Sequence, residues 1–448
     1  MKYDLIVIGA GSGLNVMSVA AARGLKVAIV EDGPMGGTCL NRGCIPSKIL
    51  IHTADVMQTI KDAGKFNIKV KGDVSVDFEK VMERSWIVDK DAEEIEASIR
   101  KAPNITLYKE RARFVGPKTL KVEDGEITAD KILIAAGTRP SLPPIEGLDK
   151  VPYMTSREIL RVKKLPKELI VIGGGYIAVE LAHFFNLMGS KVTVLQRSGV
   201  LLRHEDEEIS KKFTDIFAKQ LDLRLNFSFA KVEKKGGKIV VYDKEGNSVE
   251  GTHLLVATGR IPNTDILDVE KTGVKTNKHG YIECNEYMET NVEGIWTLGD
   301  IAGKYLFKHS ANLESEYVSH NMFNPQHKVK VDYTAMPHAI FSYPQVAGVG
   351  YTEQELKKQG KQYLVGRYMY KDSGMGLALQ EKDGFVKFLA DNQGKILGCH
   401  ILGPEASTLI HEVLVSMKRG SGTLNDIIRT VHIHPALSEV VERAAANV

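Results

Sequence analysis

The 448-residue chain is long enough for two to four domains, each with its own core. At 43% hydrophobic and 26% charged residues, with a net charge of +3, it has the composition of an ordinary globular protein and points to neither nucleic acid nor an anionic membrane as a partner. No apolar run approaches the roughly 20 residues of a membrane span, a strand pattern rather than a signal peptide opens the chain, and four cysteines suit a reducing compartment, so the cytoplasm is the expected location.

Leu5-Ile6-Val7-Ile8 is a short continuous apolar run, as expected of a buried parallel strand. Gly9-Ala10-Gly11-Ser12-Gly13 follows, then a helical stretch to Arg23, a strand Lys26 to Val30, and Glu31, 22 residues after Gly9. Strand, glycine turn, helix, strand and acid is the dinucleotide-binding order. Gly9, Gly11 and Gly13 would let the backbone approach a pyrophosphate at the helix N-terminus, and Glu31 would accept from a ribose. Leu14 stands where the pattern wants a third small residue.

The next stretch, Gly36-Gly37-Thr38-Cys39-Leu40-Asn41-Arg42-Gly43-Cys44-Ile45-Pro46-Ser47-Lys48, carries two of the four cysteines. On an ideal helix, positions five apart are roughly 8–9 Å from Cα to Cα, beyond the roughly 7 Å limit for a disulfide. A Cys39–Cys44 bridge therefore needs a distorted helical turn, for which Gly43 supplies backbone freedom. Such a bridge would be labile and suited to exchange. Spacing alone leaves open two unlinked thiols or half of a metal site, although Cys284 and Cys399 supply no second ligand pair.

Helices are expected over Ile49 to Lys61 and Phe78 to Arg100, a small antiparallel meander over Thr106 to Val122, and a strand at Ile132 to Ala136 leading into Gly137-Thr138-Arg139-Pro140. Pro140, Pro143 and Pro144 mark a linker. The plan then repeats: strand Leu169 to Ile172, glycine turn Gly173-Gly174-Gly175, helix to about Met188, strand Lys191 to Leu195, a meander from about Leu223 to Val249, and a closing run Leu254 to Arg260 that echoes residues 132–139. Two copies of one plan imply two dinucleotide sites. A strand from Asn291 to Leu298 ends at Gly299-Asp300, and a helix follows Leu306-Phe307-Lys308-His309. From Thr334 onward alternating strands (Ala339 to Phe341, Val346 to Gly350, Val386 to Ala390 and Ile396 to Ile401) mix with helices at Thr352 to Gln359 and Ser407 to Arg419.

Gly-Gly-Thr-Cys-x4-Cys-x-Pro-Ser-Lys resembles the redox loop of the FAD-dependent pyridine nucleotide–disulfide oxidoreductases, and the resemblance runs from the first residues to the last. It implies an α/β enzyme with two Rossmann-like domains, one for FAD and one for NAD(P), plus a C-terminal α+β dimerisation domain. The expected boundaries are 1–148 and 266–332 for the two parts of the FAD domain, 149–265 for the nucleotide domain and 333–448 for the interface domain of a homodimer. It implies that Cys39 and Cys44 form the redox-active bridge. Gly37, Thr38, Gly137, Asp300, Lys308 and His309 would line the FAD site, with a positive helix dipole aimed at the flavin. Lys48 and Glu180 match a pair the family places near the flavin. Gly173, Gly175, Tyr176, Ile177, Ala178 and Gly259 would serve the nicotinamide nucleotide, with Tyr176 covering its pocket. His434-Pro435, followed by Glu439, matches the family's acid–base pair. His434 would complete the partner subunit's site, and Glu439 would hold the imidazolium.

At the second site, Gln196-Arg197 stands where the first copy has Glu31, and Arg203 follows six residues on. An acid grips the 2′-hydroxyl of NAD, whereas arginine binds a 2′-phosphate bidentately, so NADP is favoured over NAD. Leu201-Leu202-Arg203-His204, the run Tyr305 to Asn312 and Ile433-His434-Pro435-Ala436-Leu437 resemble the family's mycothione reductases, while the redox loop and Ser438-Glu439 resemble its dihydrolipoamide dehydrogenases equally well. The expected activity is NADPH-dependent reduction of a small-molecule disulfide. Oxidation of dihydrolipoamide with NAD is the alternative, and an NAD(P)H oxidase or redox-sensing flavoprotein with vestigial disulfide chemistry is a remoter one. No metal site is expected.

Overall fold

A computed structural model describes residues 1–448 of the chain. Its contacts divide into two compact units: Met1–Ser47, Met82–Ser141 and Gly259–Asp332 form the first, and Lys48–Val81, Leu142–Thr258 and Tyr333–Val448 the second.

In the first unit the opening apolar run lies at the middle of a sheet. Strand Lys2–Ile8 pairs in parallel with Val27–Val30 on one side and Gly125–Ile134 on the other, with Ile6 opposite both Ala28 and Ile132. Alternate residues enter two separate cores. Ile6 and Ile8 pack with Phe114, Leu120 and Ile132 on one face. Leu5 and Val7 pack with Val16, Met17 and Val318 on the other. A strand buried on both faces must be apolar throughout, and each such side chain contributes roughly 1.5–3 kcal/mol on leaving water. Helix Gly13–Ala22 covers the second of these faces.

Two elements differ from expectation. Ile105–Tyr108 is not part of a meander: it runs parallel to Val27–Val30 as the sheet's edge, and the antiparallel part begins only at Arg113–Gly116. Its β-branched pattern is shared by parallel and antiparallel strands, so the partner was not written locally. The long helix expected over Phe78 to Arg100 is two, Phe78–Ser85 and Val88–Lys101. Ser85 Oγ donates to the Met82 carbonyl at 2.7 Å, a local bond that competes with the helical ladder.

The second unit repeats the plan. A four-stranded parallel sheet has the order Asp222–Arg224, Lys191–Leu195, Glu168–Ile172, His253–Val256, matching the first unit's order Ile105–Tyr108, Val27–Val30, Lys2–Ile8, Gly125–Ile134. The meander Phe229–Lys235, Lys238–Asp243, Ser248–Gly251 is antiparallel. Toward the C-terminus a five-stranded antiparallel sheet runs Pro337–Ile340, Val346–Gly350, Ile396–Leu402, Phe385–Ala390, Leu364–Met369, and helices Ala406–Arg419 and Ser438–Ala446 share its core. The edge strand Leu364–Met369 escaped the sequence reading because Gly366 interrupts its pattern. A Cβ at Gly366 would lie 2.4 Å from the Ala444 carbonyl oxygen, so the glycine admits the last helix.

Within this unit Lys387, on a central strand, is fully buried. Its ammonium reaches Asp206 at 2.7 Å, Glu353 at 2.7 Å and Glu208 at 3.2 Å. Burial pushes the Glu353 carboxyl up, but hydrogen bonds from Lys387 and Lys357 outweigh it and hold the group down at about 2. Replacing Lys387 by Met strands the buried Asp206 carboxylate, at an expected cost of about 3–5 kcal/mol, read as a lower urea midpoint. Because the folded-state value of Glu353 lies below its ordinary 4.5, its contribution is complete above that pH and is lost as pH falls toward 2. The variant is therefore expected to lose less stability than the parent over that acid interval.

Candidate active site

The first unit builds a cradle at the C-terminal ends of its parallel strands. Gly9 has a φ of +102°, and a Cβ there would lie 2.4 Å from the Ala135 carbonyl oxygen. At Gly11 a Cβ would meet nothing within 4 Å, so the turn is open on that side. Gly13 brings the helix against the first strand, its Cβ position 2.9 Å from Val7 Cγ1. That close approach explains why Leu14 is tolerated where the fingerprint wants a small residue. Glu31 closes the turn: one carboxylate oxygen accepts from the Ala10 amide at 2.8 Å and the other from the Gly33 amide at 2.7 Å. A groove lined by Gly9, Val30, Glu31, Ala112, Ala136 and Asn263 opens beside it.

The cysteine loop sits against this cradle. Gly37 has a φ of +67°, and its Cβ position would be 2.8 Å from Gly11 Cα. Asn41, buried, donates to the Met35 and Gly37 carbonyls at 2.8 and 2.9 Å. The distortion demanded by the Cys39–Cys44 spacing is a complete break. Helix Gly37–Arg42 stops at Gly43, with φ −148° and ψ −117°, and a new helix, Cys44–Asp62, starts at the second cysteine. A Cβ at Gly43 would approach the Thr38 carbonyl oxygen to 2.8 Å. Cys39 and Cys44 are free cysteines that share a hydrogen bond. A hydrogen bond with Cys44, then burial, pushes the Cys39 thiol far up, while the Lys308 ammonium pulls the other way. Cys44 lies on the surface of this chain.

Lys308 opens helix Lys308–Phe323 and donates to Ser12 Oγ at 2.7 Å. Burial pulls its ammonium below the usual lysine value, against the raising effect of the two cysteines. His309 stacks on Phe307 at 5.1 Å between ring centroids. Asp300 accepts from Thr138 Oγ at 2.8 Å, and Thr138 in turn accepts from Arg260 Nε at 2.6 Å. Arg260 Nη2 also bonds the Thr138 carbonyl at 2.7 Å. Sequence reading passed over Thr138 and Arg260. Their signal was the pair of matching runs Gly137-Thr138-Arg139 and Gly259-Arg260-Ile261, which cross as antiparallel partners.

In the second unit Gly173 repeats the role of Gly9: φ is +127°, and its Cβ position lies 2.3 Å from the Ala257 carbonyl oxygen. Helix Tyr176–Met188 follows, with Ile177 half-buried and Ala178 buried. Lys48 Nζ meets Glu180 Oε2 at 2.6 Å, and Glu180 Oε1 accepts from the Phe341 amide at 2.9 Å. Lys48 also lies 4.7 Å from the centre of the Phe341 ring. The Tyr176 hydroxyl donates to Glu205, a residue the sequence did not single out. Arg197 and Arg203 are exposed, and Gln196 turns its amide oxygen back to the Arg197 amide at 3.0 Å. His434 Nδ1 pairs with Glu439 Oε1 at 2.9 Å, and Glu439 Oε2 accepts from the Ala436 amide at 3.1 Å. The His434 bond, then the Ala436 amide, hold the Glu439 carboxyl below its usual range.

Residues 3–322 match the family model for pyridine nucleotide-disulphide oxidoreductases, and residues 336–445 match the model for that family's dimerisation domain. The chain is 36% identical to the mycothione reductase of Mycobacterium tuberculosis H37Rv over 454 residues, covering 99% of this chain and 98% of that protein. It is 35% identical to the dihydrolipoyl dehydrogenase of Geobacillus stearothermophilus over 461 residues, covering 99% and 96%. Among solved structures it is similar to the HOCl-induced flavoprotein disulfide reductase RclA from Escherichia coli, with a TM-score of 0.88, 27% identity and full coverage of both chains. The glycine-cradled strand ends, the cysteine pair across a helix break and these matches over the whole length agree: the chain belongs to the pyridine nucleotide–disulfide oxidoreductase family.

Proposed function

We propose that the chain is an NADPH-dependent reductase of a small organic disulfide, working through FAD and a Cys39–Cys44 bridge. The observation that carries this reading is the hydrogen-bonded cysteine pair set across the Gly43 break beside the Lys308 ammonium. In this reading residues 1–148 and 266–332 hold FAD, 149–265 bind the nicotinamide nucleotide and 333–448 form the interface of a two-fold dimer. FAD suits the residues present: Gly9, Gly11 and Gly37 clear a path where Cβ atoms would intrude or close it, Glu31 meets a ribose, and Asp300 is steadied by Thr138. When bound, FAD supplies a carrier that links hydride transfer from a nicotinamide to two-electron reduction of a disulfide.

The chain's own residues do the remaining work. Tyr176 covers the nicotinamide pocket, and Glu180 balances the charge of Lys48 so that this cation serves hydride transfer. Lys308 favours negative charge on the cysteines and on the reduced cofactor. The Cys39 thiol holds its proton tightly, so exchange needs a base. Glu439 occupies Nδ1 of His434, which leaves Nε2 to move protons. His434 of the partner subunit takes the Cys39 proton. The Cys39 thiolate attacks one sulfur of the substrate, forming a mixed disulfide, and the departing thiolate receives the proton from Nε2. Cys44 then attacks Cys39 sulfur, restoring the bridge and releasing the second thiol. One NADPH and one proton thus yield two thiols and NADP.

Mycothione reductase and dihydrolipoyl dehydrogenase lie at nearly equal identity to this chain, so oxidation of dihydrolipoamide with NAD is the second reading. Gln196 and Arg197, in place of a ribose-binding acid, favour the first.

Cys39→Ser is expected to abolish disulfide reduction while FAD stays bound. One equivalent of NADPH should expose two reactive thiols in the parent enzyme. No gain of thiols would point to an oxidase or a redox sensor instead. His434→Gln should lower turnover about 10²–10⁴-fold and leave the rate of flavin bleaching by NADPH close to that of the parent. Arg197→Glu should move the kcat/KM ratio from NADPH toward NADH; an unchanged ratio removes Arg197 from 2′-phosphate recognition.

A further inference from the structure

The turn after strand Lys191–Leu195 is held by an unusual set of bonds. Leu202 has a φ of +51°, a costly conformation for a branched side chain. Its amide donates to the Gly174 carbonyl at 2.8 Å, and its carbonyl accepts from the Glu205 amide at 2.9 Å and from Ser210 Oγ at 2.7 Å. The Glu205 carbonyl accepts from Gln354 Nε2 at 2.7 Å. The next residue, Asp206, is clamped by Lys387. Glu205 is thereby delivered to a fixed place beside the glycine turn, with only 2% of its surface exposed.

Its carboxylate has two partners there. One oxygen accepts from the Tyr176 hydroxyl and the other meets His338 Nε2 at 2.6 Å. The His338 ring also stacks on Tyr176, with centroids 6.2 Å apart and planes 23° from parallel. Gly348 makes the room: a Cβ there would lie 2.8 Å from the His338 ring and 3.0 Å from His400 Nδ1. Burial would raise the Glu205 carboxyl, but the His338 and Tyr176 bonds outweigh it and keep the group below its usual range. Tyr176 is thus tied to an ionised acceptor.

We propose that Glu205, positioned by His338, is a latch on Tyr176, and that a nicotinamide nucleotide must break the Tyr176–Glu205 bond to enter the pocket the ring covers. The latch rests on the reading of Tyr176 as the cover of that pocket. A hydrogen bond to a charged group is worth roughly ten- to a hundredfold in an equilibrium constant. Closing the latch therefore weakens the apparent affinity by the fraction of enzyme held closed, and it favours release of the oxidised nucleotide.

The test is titration of the FAD-loaded dimer with NADP, and in parallel with NAD, followed by flavin fluorescence. Tyr176→Phe keeps the ring and removes the bond, and should tighten nucleotide binding about tenfold or more. Glu205→Gln removes the charge and should act in the same direction. The double variant should bind no tighter than Tyr176→Phe alone, because both changes break one bond. His338→Gln keeps a donor to Glu205 and should stay near the parent, whereas His338→Leu should follow Glu205→Gln. Unchanged affinity in Tyr176→Phe, or additive effects in the double variant, overturns the latch. Tyr176→Ala separates the two ideas. If it leaves NADP affinity and the rate of flavin reduction unchanged, Tyr176 does not cover the pocket and the underlying reading fails as well. If it alters them while Tyr176→Phe and Glu205→Gln do nothing, the cover stands and the latch alone falls.

Discussion

Both nucleotide cradles depend on one steric constraint: the end of a parallel strand must pass so close to a neighbouring carbonyl that no side chain fits. Gly9 against Ala135 and Gly173 against Ala257 meet that constraint within 0.1 Å of each other. A Cβ at either place would force the strands apart and misplace the turn whose amides would face a pyrophosphate. The glycines also need left-handed φ values, which only they adopt at little cost. From this follows the tight turn at the C-terminal end of the first strand in each unit's parallel sheet.

The redox loop uses backbone geometry in a similar way. Two cysteines five residues apart cannot meet on one continuous helix, so the chain ends one helix at Gly43 and starts another at Cys44. Gly37, Asn41 and Gly43 keep this break in place through close approach and hydrogen bonds to carbonyls. A thiol so placed is shielded, and Lys308 tempers that shielding with positive charge. The balance between a proton held by the neighbouring thiol and a cation that favours its loss suits a group that must change state in every turnover.

Charge is handled in the second unit by giving buried carboxylates direct partners. Lys48 meets Glu180, Lys387 meets Asp206 and the His338 imidazole meets Glu205. Such pairs contribute less to net stability than to fixing one arrangement. Here they hold the start of helix Tyr176–Met188 and the turn after Leu195 in register with the C-terminal sheet, through Phe341, Glu353 and His338. The second dinucleotide motif is thus braced by residues more than 130 positions away in sequence.

The repeated dinucleotide plan was legible in the residues alone, because strand, glycine turn and helix are local patterns dictated by backbone sterics and hydrophobic period. It also marked Cys39, Cys44, His434 and Glu439, whose chemistry and spacing are legible without a fold; the pairing of His434 with Glu439 spans only one short turn. Partners brought together by tertiary structure were not legible. Ile105–Tyr108 could have joined either kind of sheet, since its residues suit both and only packing against Val27–Val30 chooses. Leu364–Met369 was hidden by Gly366, which serves a helix almost 80 residues on. Glu205 and His338 carry no motif, for a buried carboxylate and an imidazole become a pair only when a strained turn and a distant strand bring them within 2.6 Å. Local patterns record what the backbone must do. Long-range ion pairs depend on where the folded chain places side chains that are ordinary in isolation, and only the tertiary structure decided those.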